Sequence, residues 1–403
     1  MRIDSGPMSS DDSPVRAYLM GFVLIGVVLS IAGPSLSHLR DRMGTDNGGI
    51  AVIFVGSSLG YILGSTLAGM GLDHGQGHRR WVGAMALCSF SILGVAVAPN
   101  LPLLVASFVV LGATAGLGDV SGNTLVMWSR PDGPGPLLNA LHLCFAVGAV
   151  FAPVLVWMSL RLTDSLWPMV IPVGALTFAF GIQLLRHPPP VRTRLDTVER
   201  SAQGGARTLH VVALCAFYFT YVALETGFAG WIHSYTEQIG YGSSATATGM
   251  ITTFWVGFML GRLASIWVSR HVTPGALVGW AMGLSVVAAV LFTAFRSAGP
   301  MLWVVTFLFA VSIAPQYASM MAFAEQHLAL SGRNTSAIVG SSGIGGLFMP
   351  WLLGQLFDAR GPQSLPVVMV VLAVLTSLVA LAVGRLLSGA QRPPATSSSA
   401  PVT

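Results

Sequence analysis

The sequence predicts an all-α membrane protein with twelve transmembrane helices in two pseudo-symmetric six-helix bundles. Three observations lead there. Just over half of the residues are hydrophobic and 9% are charged, against about 25% charged in soluble domains, and the mean hydropathy is +0.73. Apolar runs long enough to cross about 30 Å of hydrocarbon recur along the whole chain. Laid against itself at an offset of 197 residues, the chain also matches where helices pack. Gly33 falls on Gly230, Gly60-x-x-Leu63-Gly64 on Gly257-x-x-Leu260-Gly261, and Gly148-x-x-Phe151-x-Pro153 on Gly345-x-x-Phe348-x-Pro350. One register shared by three segment pairs points to a duplicated half, the plan on which many secondary transporters are built.

The elements follow in order. Residues 1–15 are polar up to Ser13-Pro14. The first span, 16–39, is too long for a signal-peptide core and lacks a small-residue cleavage site, so it is expected to be retained. Spans 48–70, 80–98, 101–128, 136–160 and 167–186 complete an N-terminal bundle over 16–186. His187-Pro188-Pro189-Pro190 cannot continue a helix. It opens a linker, 187–207, in which Arg192, Arg194, Arg200 and Arg207 alternate with Asp196 and Glu199. Spans 208–236, 244–269, 274–296, 299–325, 333–357 and 364–388 form the C-terminal bundle over 208–388. Residues 389–403, with Pro-Pro and Ser-Ser-Ser, read as a disordered tail. Gly60/Gly64, Gly112/Gly116 and Gly257/Gly261 are small-x-x-x-small pairs that let helix backbones approach closely in lipid.

All twenty basic side chains are arginine. With the start of the first span in the cytoplasm, fifteen fall on the inner side and five (Arg40, Arg42, Arg161, Arg296 and Arg360) outside. This asymmetry follows the positive-inside rule and places both ends of the chain in the cytoplasm of a cell (inner) membrane protein. The same bias raises the pI. No nucleic-acid partner is implied, because the arginines are spread over loops and not gathered on one face. Cys88, Cys144 and Cys215 all lie within spans, which argues against a disulfide framework.

Ionisable residues at membrane depth carry the chemistry, since a charge there costs several kcal/mol (about 2.5–3.5 on insertion scales) unless it is paired, neutralised or watered. Of fifteen acidic residues only Asp119 and Glu225 lie well inside spans. Gly116, Asp119 and Asn123 share one helical face, so a carboxylate and an amide stand above a gap left by glycine. A carboxylate withdrawn from water can load and release a proton near physiological pH; a structural hydrogen bond to a neighbouring helix is the alternative. Glu225 lies in an aromatic stripe of Tyr218, Tyr221, Phe228, Trp231 and Tyr235. Aromatic faces with carboxylates or amides are how sugars are held, although Trp231 and Tyr235 also fit an interfacial belt. Asn139 and His142 form an i, i+3 pair, and His142 suits either proton shuttling or helix packing. Gln316 and Tyr317 follow Pro315, where the helix is free to bend, and are candidate solute contacts. No metal-ligand cluster, P-loop or nucleophile–base set is present. The chain is therefore expected to be no enzyme and to use no cofactor.

The loop Gly69-Met-Gly-Leu-Asp73-His-Gly-Gln-Gly77-His-Arg79-Arg80 resembles the Gly-x-x-x-Asp-x-x-Gly-Arg-Arg signature of the major facilitator superfamily, with one extra residue after the aspartate. That resemblance implies the major facilitator fold, with Asp73, Arg79 and Arg80, and Arg262 in the second half, acting as a cytoplasmic gate. Within the superfamily, Asp119/Asn123, Leu138-Asn139 and Gly148-Ala149 resemble the fucose–proton symporters. Tyr221-Val-Ala-Leu-Glu225 with Gly230-Trp231 is similar to related sugar transporters. Fucose symporters have an aspartate in the first span, whereas Gly26 to His38 contains no acid. The resemblance implies alternating-access transport of a sugar-like solute by proton symport, in a lipid bilayer and as a monomer. Asp119, Glu225 and His142 would carry the proton. Asn123, Asn139, Tyr221, Glu225, Trp231, Gln316 and Tyr317 would hold the solute. The alternatives are a proton-coupled exporter of amphipathic drugs or lipids, coupling to sodium, and a non-transporting sensor. Sodium would require several oxygen ligands together, and no dense cluster is visible.

Overall fold

The computed structural model describes residues 13–73, 76–129, 135–186, 208–296, 299–328 and 332–388. Residues 1–12, the expected linker (187–207) and the tail (389–403) lie outside them. Among the described residues the chain is all helical, with twelve spans long and apolar enough to cross a membrane. In the first half these are α1 (Ser13–Ser30) with α2 (Ala32–Met43), α3 (Asn47–Ile50) with α4 (Val52–Asp73), α5 (Gly77–Val97), α6 (Leu101–Ser129), α7 (Gly135–Thr163) and α8 (Trp167–Leu184). In the second they are α9 (Thr208–Gln238), α10 (Ser244–Val268), α11 (Pro274–Ala294), α12 (Pro300–Ile313) with α13 (Gln316–His327), α14 (Gly332–Arg360) and α15 (Ser364–Ser388). Each span falls within a few residues of its expected edges. The breaks have local causes. Pro34 and Pro315 have no amide hydrogen, so each leaves the carbonyl four residues earlier without its helical donor, and spans 1 and 10 divide there.

The repeated glycines set the packing, and both halves pack alike. A Cβ on Gly60 or Gly64 of α4 would strike the carbonyl oxygens of Val109 and Ala113 in α6; Gly112 and Gly116 of α6 return the contact at Ser57 and Tyr61. Their counterparts in α10, Gly257 and Gly261, would place a Cβ 2.9 and 2.8 Å from the Phe307 and Val311 oxygens of α12. Gly148 of α7 sits on the Val23 carbonyl of α1, and Gly345 of α14 sits on the Phe219 carbonyl of α9. In lipid, where apolar burial gives helices little reason to associate, such backbone proximity supplies the van der Waals contact that does. Large apolar side chains such as Leu63, Phe90, Leu162, Trp280 and Leu378 are exposed on the outside, where acyl chains would cover them.

Residues one offset apart meet on the axis between the halves. Gly33 packs on the Gly230 backbone, and the Ser37 and Ser234 hydroxyls lie 3.5 Å apart. Equivalent residues that touch each other must lie on the pseudo-two-fold axis, which therefore passes between α2 and α9. These contacts belong to the face carrying the connections between spans 1 and 2, 7 and 8, and 11 and 12. On that face Asn47 and Gly48 donate their backbone N–H groups to Asp358 of α14, and Asn47 Nδ2 adds a third bond at 2.7 Å. Asn47 Oδ1 accepts from Arg40 Nη1 and Gln238 Nε2, each at 3.1 Å. Glu237 accepts from Ser37 across the axis, with His233 Nδ1 3.6 Å away. The N-terminal amides of span 2 are thus satisfied partly by Asp46 of their own half and partly by Asp358 of the other.

Candidate functional site

Asp119 is fixed from two helices. The glycine contact at Gly116 brings α4 against α6, so Tyr61 reaches over and donates its hydroxyl to Asp119 Oδ2. One turn along α6, Asn123 Nδ2 donates to Asp119 Oδ1 at 3.0 Å and to the Asp119 carbonyl at 2.9 Å. The face read in the sequence as a carboxylate beside an amide is therefore formed, with Tyr61 as an added member.

In the other half, Glu225 lies one turn beyond Tyr221 on α9. The Tyr221 ring is fully buried, stacked on Phe217 and tilted against Tyr317 at 5.9 Å. Its hydroxyl faces the Glu225 carboxyl. Tyr317 lies in the first turn of the helix after the Pro315 break; its carbonyl accepts the Tyr218 hydroxyl at 2.9 Å, and its own ring stands within electrostatic reach of both Asp119 and Glu225.

Arg262 of α10 completes the group. Its guanidinium lies 4.6 Å over the Phe258 ring and within electrostatic reach of Asp119, Glu225 and His142. Among the described residues it makes no ion pair closer than 4 Å. One cation therefore faces two carboxylates contributed by different halves. With His142 neutral, the cluster is one proton short of neutrality when both acids are ionised. Asp119, Asn123, His142, Glu225, Arg262, Tyr61 and Tyr317 are all only half-buried, although each lies within a helix and faces other helices. Each therefore keeps some accessible surface between helices, which lowers the cost of holding a charge there.

The remaining expected residues lie elsewhere. Trp231 is fully buried, its indole N–H donates to the Pro350 carbonyl at 2.8 Å, and its ring packs on Phe357 at 4.5 Å. It ties α9 to α14 and is closed to a solute in this conformation. Gln316 points to α11, donating at 3.3 Å to the Ala281 and Ser312 carbonyls. His142 meets Phe22 edge-on at 6.3 Å and stays at the cluster's margin. The side chains of Asn139 and Asp73 lie outside the described residues. Arg79 is exposed, and Arg80 folds back to the Leu67 carbonyl at 2.6 Å and to Gln76. The sequence groups Arg262 with these gate residues; the structure sets it against the carboxylates.

Twelve spans in two like halves, with an ionisable cluster shared between them, are the architecture of a secondary transporter. The chain belongs to the major facilitator superfamily: residues 18–350 match that family's model. It is similar to sodium-dependent glucose transporter 1A of Mus musculus, at 24% identity over 83% of this chain and 87% of that one. It is also similar to sodium-dependent glucose transporter 1 of Homo sapiens, at 23% identity over 86% and 74%. Among solved structures it superposes on a D-xylose–proton symporter with a TM-score of 0.77, at 14% identity over 93% of this chain and 97% of that one. The superfamily likeness read in the sequence holds, and these two sequence relatives are glucose transporters and not fucose–proton symporters.

Proposed function

We propose that this protein carries a hexose-like sugar across the membrane by alternating access, coupled to protons through Asp119 and Glu225. The observation that carries the proposal is the shared cluster: two carboxylates, one arginine and tyrosine hydroxyls, contributed by both halves. A carboxylate that accepts from a sugar hydroxyl and also loads a proton can couple the two, and the halves would rock about the Gly33–Gly230 axis. Support for the sugar class comes from the polarity of the cluster and from relatives named as glucose transporters. The absence of an acid between Gly26 and His38 argues for a hexose other than fucose. A second reading, sodium coupling, is favoured by the same relatives' names, while no group of three or more His, Cys, Asp or Glu that would hold a metal ion is found among the described residues. Taking the arginine asymmetry as the guide, the Asn47–Asp358 face is outermost and Arg79 and Arg80 lie at the cytoplasmic gate.

The test is ion flux in proteoliposomes on adding each member of a hexose and pentose panel. Sugar-evoked proton entry is expected. Sugar-evoked sodium entry without proton movement would replace the coupling ion. Silence toward every sugar, with efflux of lipophilic cations, would overturn the proposal in favour of an exporter.

A further inference from the structure

Buried hydrogen-bond donors are nearly always paired, and the rare orphan needs an explanation. One such orphan lies in the second half near the cluster: the Trp255 indole N–H. Trp255 is 6% exposed and belongs to no expected site, so its orphaned donor is so far unexplained.

Its position supplies a reason. Trp255 and Arg262 are seven residues apart on α10, two helical turns, and therefore share a face. Phe258 lies between them, 5.8 Å from Trp255 and under the Arg262 guanidinium. That face looks across to the first half, where Trp255 meets Phe145 of α7 edge-on at 6.5 Å. Phe145 follows His142 by one turn and so sits beside the cluster. Depth agrees as well. At about 1.5 Å per residue, Trp255 is roughly 16 Å from the start of α10 and Glu225 roughly 20 Å from the end of α9, the same side of the bundle.

We propose, on the sugar-carrier reading above, that Trp255 is the aromatic that reads the solute. Its N–H donates to a hydroxyl oxygen of a hexose, and Phe145 and the indole cover the sugar's C–H surface. Glu225, beside the Tyr221 hydroxyl, accepts from another hydroxyl. A donor and an acceptor at similar depth beside an aromatic pair match a polyhydroxylated ring, whose oxygens both give and take hydrogen bonds. The stacking role that aromatic spacing offers to Trp231 thus passes to Trp255, on a different helix and facing the other half.

Competition binding of D-glucose and its 1-, 2-, 3-, 4- and 6-deoxy analogues, on wild type and Trp255→Phe, tests this. The substitution keeps the ring and removes the N–H. W255F should bind glucose about ten-fold more weakly and lose nothing further with the one analogue that lacks the accepted oxygen, because a site built to bond an oxygen rejects its absence. Equal binding of all six sugars to both proteins would overturn the assignment. Wild type that binds none of them would instead overturn the sugar-carrier proposal. Should W255F not fold, ¹⁹F spectra of wild type labelled with 5-fluorotryptophan at its ten tryptophans serve in its place. One resonance must move on saturation with glucose and fail to move in Phe145→Leu; spectra unaltered by bound glucose would overturn the inference.

Discussion

Neutralising Asp358 should open the face that the structure holds shut. Asp358 accepts three hydrogen bonds from the other half, from the Asn47 and Gly48 backbone N–H groups and from Asn47 Nδ2. The carboxylate is exposed, so each bond is discounted for solvent to about 0.5 kcal/mol, near the low end of the net range for hydrogen bonds and within that of exposed ion pairs. The three together give about 1.5 kcal/mol, and about 1.4 kcal/mol is a factor of ten. Asp358→Ala should therefore lower the closed-to-open ratio of this face about ten-fold. A latch of that size biases the closed state and still yields in every transport cycle. The assay uses the axis itself. Ser37 and Ser234, whose hydroxyls are 3.5 Å apart, become cysteines in a background with Cys88, Cys144 and Cys215 replaced. Their rate of labelling by a water-soluble maleimide then reports opening, because it scales with the open fraction of a face that is mostly closed. Asp358→Ala should speed labelling several-fold, while Arg360→Gln, which removes an exposed charge from the same helix, should not. Labelling at the wild-type rate in Asp358→Ala would rule the latch out, since three lost bonds across the interface would then have cost nothing.

Two further outcomes follow from the packing. Trp231→Phe removes the donor to the Pro350 carbonyl and should cost about 1 kcal/mol of stability, seen as a lower melting temperature in detergent with sugar affinity unchanged; an affinity loss at unchanged stability would return Trp231 to the solute site. Gly60→Val drives a branched side chain into the Val109 carbonyl and should cost at least the ~1–3 kcal/mol of overpacking, read as poor recovery of folded protein by size-exclusion chromatography. Wild-type recovery would mean that α4 and α6 can part without penalty.

The spans were legible because length and hydropathy alone decide them: each needs about twenty apolar residues, and each ends at a Pro, Gly or charged cluster. The duplication was legible through Gly33 and Gly230. Only the structure reveals that these two residues touch each other, because an internal match says nothing about where its axis passes. Asp119 and Asn123 were readable together because they are one helical turn apart, which fixes their neighbourhood whatever the tertiary packing. Tyr61 was not, since its reach to Asp119 depends on how closely Gly116 lets two helices approach. Aromatic spacing alone does not place Trp231. A stripe at three- and four-residue intervals marks a helical face but not whether that face meets a cavity or another helix, and α14 fills the space beside Trp231. Asp358 and Asn47 are more than three hundred residues apart, and no local pattern links an exposed acid at one helix end with free amides at another.

Proton coupling through Asp119 is put to the proof by uphill accumulation of labelled hexose in proteoliposomes under an inward proton gradient, wild type against Asp119→Asn. Wild type should concentrate the sugar, whereas Asp119→Asn should exchange it in counterflow and never concentrate it. Accumulation by the variant at the wild-type level would contradict that coupling, because the proton would then be carried without the carboxylate that Tyr61 and Asn123 hold in place.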